Sequence, residues 1–248
     1  MIERKQLVAF AGRQQTTEDN IIREYFQHLF LSFLGRERGA DHLLFKGGTA
    51  LRVIWQSPRF SEDLDFTGTK ATVPEIERLM EATLVNMEKE GVKTDLREST
   101  KTSGGYLAIF RFATQDYASK IQIEISLRND KKQAGEATLI RTDLVPPYML
   151  VHLTERQLVA EKIQACLTRG KARDFYDFYF ILRSRMAFQK TFAEDKSLKS
   201  KFLTALRKGN LDFKRELKQF LPVNQHMIIK NFPSALITEI ERSLPGKK

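Results

Sequence analysis

The 248-residue chain has a single cysteine, Cys166, which excludes an internal disulfide. With apolar neighbours in a helical stretch, its thiol reads as a small core residue rather than a nucleophile. No segment approaches the roughly 20 apolar residues of a membrane-spanning helix. The opening Met1-Ile2-Glu3-Arg4-Lys5-Gln6 lacks the apolar centre of a secretory signal. A cytoplasmic protein without membrane contact is therefore expected. Internal repeats and low-complexity segments are also missing, which excludes a repeat architecture.

What is present is an ordinary globular composition with a basic excess. Hydrophobic residues make up 42% and charged residues 29%, enough to bury a core in one large domain or two small ones. Lys and Arg number 41 against 31 Asp and Glu, a net charge of +10, and the pI is about 9.6. That balance favours polyanionic partners such as RNA.

The chain is organised around residues 43–66. Leu43, Leu44 and Phe45 suit a buried strand, and Gly47-Gly48 lets the backbone turn into a helix. Amides left open at such a turn, with the positive end of the helix dipole, suit a phosphate. If Asp63 and Asp65 lie on one strand, they share a face while Leu64 and Phe66 enter the core. Carboxylates this close repel unless neutralised, and a hard divalent cation, Mg²⁺ or Mn²⁺, does so. Taken singly, Asp-x-Asp is most often a solvated strand end, and Gly-Gly usually just a turn.

Around this centre, residues 1–16 are polar and carry no clear periodicity. Ile21, Ile22, Tyr25, Phe26, Leu29, Phe30, Phe33 and Leu34 form a helical stripe that starts at Thr17. A helix opened by Pro74 runs to Gly91. Strands are predicted over Lys93–Ser99, Tyr106–Thr114 and Lys120–Arg128, with a further one over Ala137–Leu144. Ile121, Ile123, Ile125 and Leu127 alternate with Gln122, Glu124, Ser126 and Arg128, so Glu124 stands on a polar face.

Val145-Pro146-Pro147 marks a junction, which gives domains 1–147 and 148–248. Beyond it, Thr154 and Gln157 start a helix that carries Lys162 and Cys166 and stops at Arg169-Gly170. In the next helix Asp174 and Asp177, three apart, share a face. From Phe188 onward the chain reads as helices rich in Lys and Arg, whose charged side is either solvated or tracks an RNA backbone. The last four residues should fray.

The string Lys46-Gly47-Gly48-Thr49-Ala50-Leu51 through Arg59-Phe60-Ser61-Glu62-Asp63-Leu64-Asp65-Phe66 resembles the AbiEii/AbiGii toxin family, which includes the MenT toxins, within the polymerase-β nucleotidyltransferase superfamily. Glu161-Lys162, Arg169-Gly170 and Arg173-Asp174-Phe175-Tyr176-Asp177 extend the likeness. It implies an α+β fold, a nucleotidyltransferase domain with a mixed sheet flanked by helices, followed by a C-terminal helical domain. It also implies a metal-dependent enzyme that moves NMP from an NTP to an acceptor and releases pyrophosphate.

Under this resemblance Asp63, Asp65, Lys162 and Asp177 are catalytic, and Asp63, Asp65 and Glu124 hold Mg²⁺ or Mn²⁺. Lys46, Gly47, Gly48, Thr49, Arg52, Ser61 and Asp174 line the nucleotide, and phosphorylation of Ser61 would add opposing charge there. RNA, first of all the 3′ end of tRNA, is the implied acceptor, and a cognate antitoxin, protein or kinase, the implied partner. The alternatives are a small-molecule or protein acceptor, or a catalytically silent module that binds RNA.

Overall fold

The computed structural model describes residues 1–127, 133–184, 186, 197–208 and 211–244. The expected fraying at 245–248, the start of the terminal helices at Phe188 and the strand end at Arg128 lie outside the described residues. The chain divides into two compact units, residues 1–56 with 60–153, and residues 57–59 with 154–248.

The first unit is built on a seven-stranded mixed sheet, ordered β3-β4-β5-β2-β1-β7-β6. Its strands are β1 (Leu43–Lys46), β2 (Leu64–Gly68), β3 (Lys93–Thr102), β4 (Gly105–Ala113), β5 (Ala118–Ser126), β6 (Gly135–Ile140) and β7 (Tyr148–Leu153). β2 runs parallel to β5 and β1 parallel to β7, while the other neighbours are antiparallel. Helices α1 (Arg4–Gln14), α2 (Glu18–Leu34), α3 (Gly47–Trp55) and α4 (Val73–Lys89) flank it.

The apolar stripe read from the sequence is the packing face of α2. Phe26 and Phe30, both fully buried, meet Phe112 of β4 at ring separations of 5.8 and 6.2 Å. Thr17 caps that helix by accepting from the Asn20 amide. In β5, Ile121, Ile123 and Ile125 are buried while Glu124 is exposed, the alternation expected of a strand with one core face.

Two elements escape the sequence reading. α1 buries only Leu7 and Ala11, two residues one turn apart, too little for a visible stripe. β7 follows Pro146-Pro147 directly and completes the sheet by pairing with β1 and β6, so the division falls after Leu153 rather than at residue 147.

His28 of α2 is buried, and its Nδ1 lies 2.8 Å from the Tyr148 hydroxyl. Burial, together with the nearby Arg52 charge, lowers its pKa to about 4, against the opposing pull of Glu24. A histidine depressed in the folded state takes up its proton more readily when unfolded, so stability is full above about pH 6.5 and falls as the pH drops towards 4. The expected loss across that window is about 3 kcal/mol. Urea unfolding at pH 7 and pH 4.5 should show it, and His28→Gln should flatten the dependence.

The second unit is helical, with α5 (Glu155–Thr168), α6 (Ala172–Arg183), α7 (Leu198–Lys208), α8 (Phe213–Leu217), α9 (His226–Lys230) and α10 (Phe232–Ser243) among the described residues. Gly170, at φ +58°, breaks the chain between α5 and α6. Aromatic contacts join the helices: Phe178 stacks on Phe202 at 3.9 Å and Phe213 meets Phe232 at 4.9 Å. Cys166 is fully buried, donates to the Asp174 carbonyl at 3.0 Å and has its pKa pushed up by burial, as suits a core residue.

Candidate active site

The register of three central strands brings together residues distant in the chain. Lys46 of β1 stands opposite Asp65 of β2, and Asp65 opposite Glu124 of β5. The row one residue along, Phe45, Phe66 and Ile125, is buried, so the Lys46-Asp65-Glu124 row occupies the other face. That face floors a cleft of about 430 Å³, walled by Thr102, Ser103 and Gly104 at the β3–β4 turn. Gln122 reaches along β5 to donate to Glu124 Oε1 at 2.5 Å, which sets the direction of that carboxylate.

Gly47 is needed here for two reasons. Its φ of +85° belongs to the left-handed region, and a Cβ added to it would lie 2.0 Å from Asp65 Oδ2. The turn that opens α3 is thus packed against the carboxylate. Gly48 is buried in the first turn of that helix.

Asp63 departs from the expectation. β2 begins at Leu64, so Asp63 precedes the strand and does not share a strand face with Asp65. The reason is topological, because at Gly47 the neighbouring strand β1 has already turned into α3. The residues before β2 are held instead by side chains gripping three consecutive carbonyls. Buried Gln27 of α2 donates to Ser61 O at 3.1 Å and Glu62 O at 3.0 Å, and Thr49 of α3 donates to Asp63 O at 2.5 Å. Thr49 is therefore a backbone anchor, and Ser61 and Asp63 sit on an anchored segment beside β2.

Arg52, expected among the phosphate-binding cations, is directed elsewhere. Its Nε donates to Glu24 Oε1 at 2.7 Å, its Nη2 to Gln14, and its guanidinium lies 3.7 Å from the Phe60 ring centre. These contacts tie α3 to α1 and α2. Among the described residues no three His, Cys, Asp or Glu side chains gather into a metal-binding group. Asp65 and Glu124 are hard oxygen donors on adjacent strands, a donor type that fits Mg²⁺ or Mn²⁺.

In the helical unit, Asp177 is the hub of a buried cluster. Arg59 grips it with two bonds, Nε to Oδ1 at 2.8 Å and Nη2 to Oδ2 at 3.0 Å, and Lys162 Nζ donates to Oδ2 at 2.8 Å. Arg59, Lys162 and Asp177 are 4%, 8% and 1% exposed, so a weak surface ion pair is excluded. Burial alone would raise the Asp177 pKa, but the charges of Arg59 and Lys162 outweigh it and bring it to about 2. The cluster keeps one net positive charge.

Asp174, expected at the nucleotide, is buried and bonded to the turn between α5 and α6. It accepts from the Lys171 amide at 3.0 Å, which caps α6, and takes two bonds from Arg169. The sequence alone assigns no role to Arg59, although it opens the segment Arg59-Phe60-Ser61-Glu62-Asp63. Its partner lies 118 residues away, and no local pattern announces such a pair.

The sequence profile of the nucleotidyl transferase AbiEii toxin family, type IV toxin–antitoxin system, matches residues 29–240. The chain belongs to this family. It is a nucleotidyltransferase of the toxin–antitoxin class, and an antitoxin partner and an NTP substrate follow from that membership. No curated protein sequence matches. Among solved structures, MenT4, the nucleotidyltransferase toxin Rv2826c of Mycobacterium tuberculosis H37Rv, aligns over 97% of this chain and 89% of its own at a TM-score of 0.65 and 15% identity. JHP933 from Helicobacter pylori aligns over 92% of both chains at 0.59 and 20%. At such identities these likenesses speak for the fold, which is the expected α+β nucleotidyltransferase architecture. Among the described residues no helix is long and apolar enough to cross a membrane.

In this AbiEii enzyme the Gln27 anchor should matter for turnover. Gln27→Leu removes both donors to the Ser61–Glu62 backbone and frees the segment next to Asp65. A displacement of about 1 Å at a reacting centre costs on the order of a hundredfold. We expect kcat to fall roughly tenfold to a hundredfold with a smaller change in KM, as steady-state assays of NTP consumption would show.

Proposed function

We propose that this enzyme transfers NMP from an NTP to the 3′ hydroxyl of an RNA, tRNA above all, and so blocks translation. The observation that carries the reading is the adjacency of Asp65 and Glu124 in one cleft, at the foot of the Gly47 turn. The acceptor oxygen bonds to the α-phosphorus, the bond from that phosphorus to the β-phosphate oxygen breaks, and pyrophosphate leaves. The hydroxyl proton passes to Glu124.

Backbone amides at Gly47 and Gly48, with the Lys46 ammonium, hold the phosphates, and the Ser61 hydroxyl adds a contact. Lys162 keeps the role implied by the family resemblance, a cation for the leaving pyrophosphate, while Asp177 and Arg59 position it. A Mg²⁺ or Mn²⁺ ion held by Asp65 and Glu124, with Asp63 beside them, supplies charge neutralisation and polarises the phosphates when bound. The cytoplasm, where tRNA resides, is the site of action, and a cognate antitoxin, protein or kinase, restrains it.

The test is incubation with each labelled NTP and total RNA, followed by sequencing of tRNA 3′ ends. Label in the small-RNA fraction, with untemplated terminal nucleotides, is the expected result. Label confined to protein or to small molecules such as aminoglycosides would remove RNA as the acceptor.

A further inference from the structure

The basic excess of the chain is not shared evenly. Residues 154–248 hold 20 Lys and Arg against 10 Asp and Glu, whereas residues 1–153 hold 21 against 21, so the whole net charge of +10 belongs to the C-terminal part. Within it α7 carries Lys199, Lys201, Arg207 and Lys208 and no carboxylate.

One side of this helix is committed to packing. Phe202 is fully buried against Phe178, and Leu198 is 5% exposed. The other side presents Ser200, Lys201, Thr204 and Arg207, all exposed, at spacings that place them on one face. Where α5 ends beside it, Leu167 joins Ser200, Lys201, Thr204 and Ala205 to line an open groove of about 380 Å³. Among the described residues of this unit the ion pairs engage Arg59, Lys162, Arg169 and Arg242, and none involves α7.

We infer that this exposed face of α7 is a docking surface for the phosphate backbone of the acceptor RNA. The inference rests on the reading of RNA as acceptor. Hydroxyls alternating with cations along a groove, without a carboxylate, match the donor set by which proteins hold nucleic-acid phosphates in place without reading bases. An ordinary solvated helix face mixes both signs of charge, and this one does not. Binding there is independent of base sequence, so the face orients the RNA while the sheet cleft performs the transfer.

The experiment is fluorescence anisotropy of fluorescein-labelled unfractionated tRNA with the full chain, from about 50 to about 200 mM salt. Three proteins are compared: wild type, Lys201→Glu with Arg207→Glu, and a control, Lys70→Glu with Lys89→Glu, which changes net charge equally at exposed positions of the first unit. For two lost phosphate contacts, the slope of log K against log salt should shrink by roughly 1.4 to 1.8. The control should keep the wild-type slope, and unchanged thermal melts would show that both variants fold.

Equal losses in both variants, or no loss in either, overturn the surface alone, provided wild type binds tRNA. The second result is also what an acidic protein partner on this face would give. Failure of wild type to bind tRNA at any salt overturns the surface and the RNA acceptor together.

Discussion

Asp65→Asn should lower nucleotidyl transfer by roughly a thousandfold while leaving the fold intact. The substitution keeps the shape of the side chain, which matters because Asp65 lies against Gly47, where even a methyl group would collide with its carboxylate. What it removes is one negative charge from a pair of facing acids, Asp65 and Glu124. Asp65 stands between Lys46 on one side and Glu124 on the other, an attraction and a repulsion that oppose each other, so the neutral variant should melt close to the wild-type temperature.

Loss of activity without loss of stability separates a catalytic carboxylate from a structural one. Single-turnover rates with labelled NTP and calorimetric melting measure the two halves of this expectation. On induction in cells, the wild type should arrest growth and the Asp65→Asn variant should not. Wild-type rates from the variant would place the chemistry elsewhere.

The second large effect lies in the helical unit and concerns stability first. Asp177→Ala removes a carboxylate that Arg59 and Lys162 both grip, and leaves two cations almost sealed from water. Breaking a buried pair in this way costs about 3 to 5 kcal/mol, because the orphaned charge keeps its desolvation penalty and loses its partner. Asp174→Ala makes the comparison informative. Its main partner Arg169 is largely exposed and can turn to water, and the lost helix cap amounts to about 1 kcal/mol.

Urea denaturation of the two variants should therefore show the Asp177 change as severalfold the larger. Equal effects would mean that the Arg59-Asp177-Lys162 cluster contributes little. The depressed Asp177 pKa adds a pH signature. A carboxylate held below its usual range contributes stability above about pH 4, and that contribution is lost as the pH falls towards 2.

Much of this could be read along the chain because it is local. The alternation in β5 reports which side chains face the core, and it placed Glu124 on the open face correctly. The stripe in α2 and the stop at Gly170 are likewise written in spacing and in backbone freedom. Asp63 shows the limit of such reading. Counting by twos put it on the same face as Asp65, but the count holds only inside a strand, and β2 starts one residue later. Arg52 shows another limit, since a cation next to a glycine turn suggests a phosphate, yet Glu24 on α2 takes it.

The sequence by itself determined the class of fold, the glycine turn and the family, all of which depend on near neighbours or on a recognisable string. Only the tertiary structure decided that Gln27 and Thr49 hold the segment between α3 and β2, that Glu24 draws Arg52 away from the glycine turn, and that Arg59 closes on Asp177. Periodicity tells which face a residue occupies and nothing about which strand lies next to it. That choice is made by the packing of the whole core, where the entropy of bringing distant segments together is offset only once many contacts form at the same time.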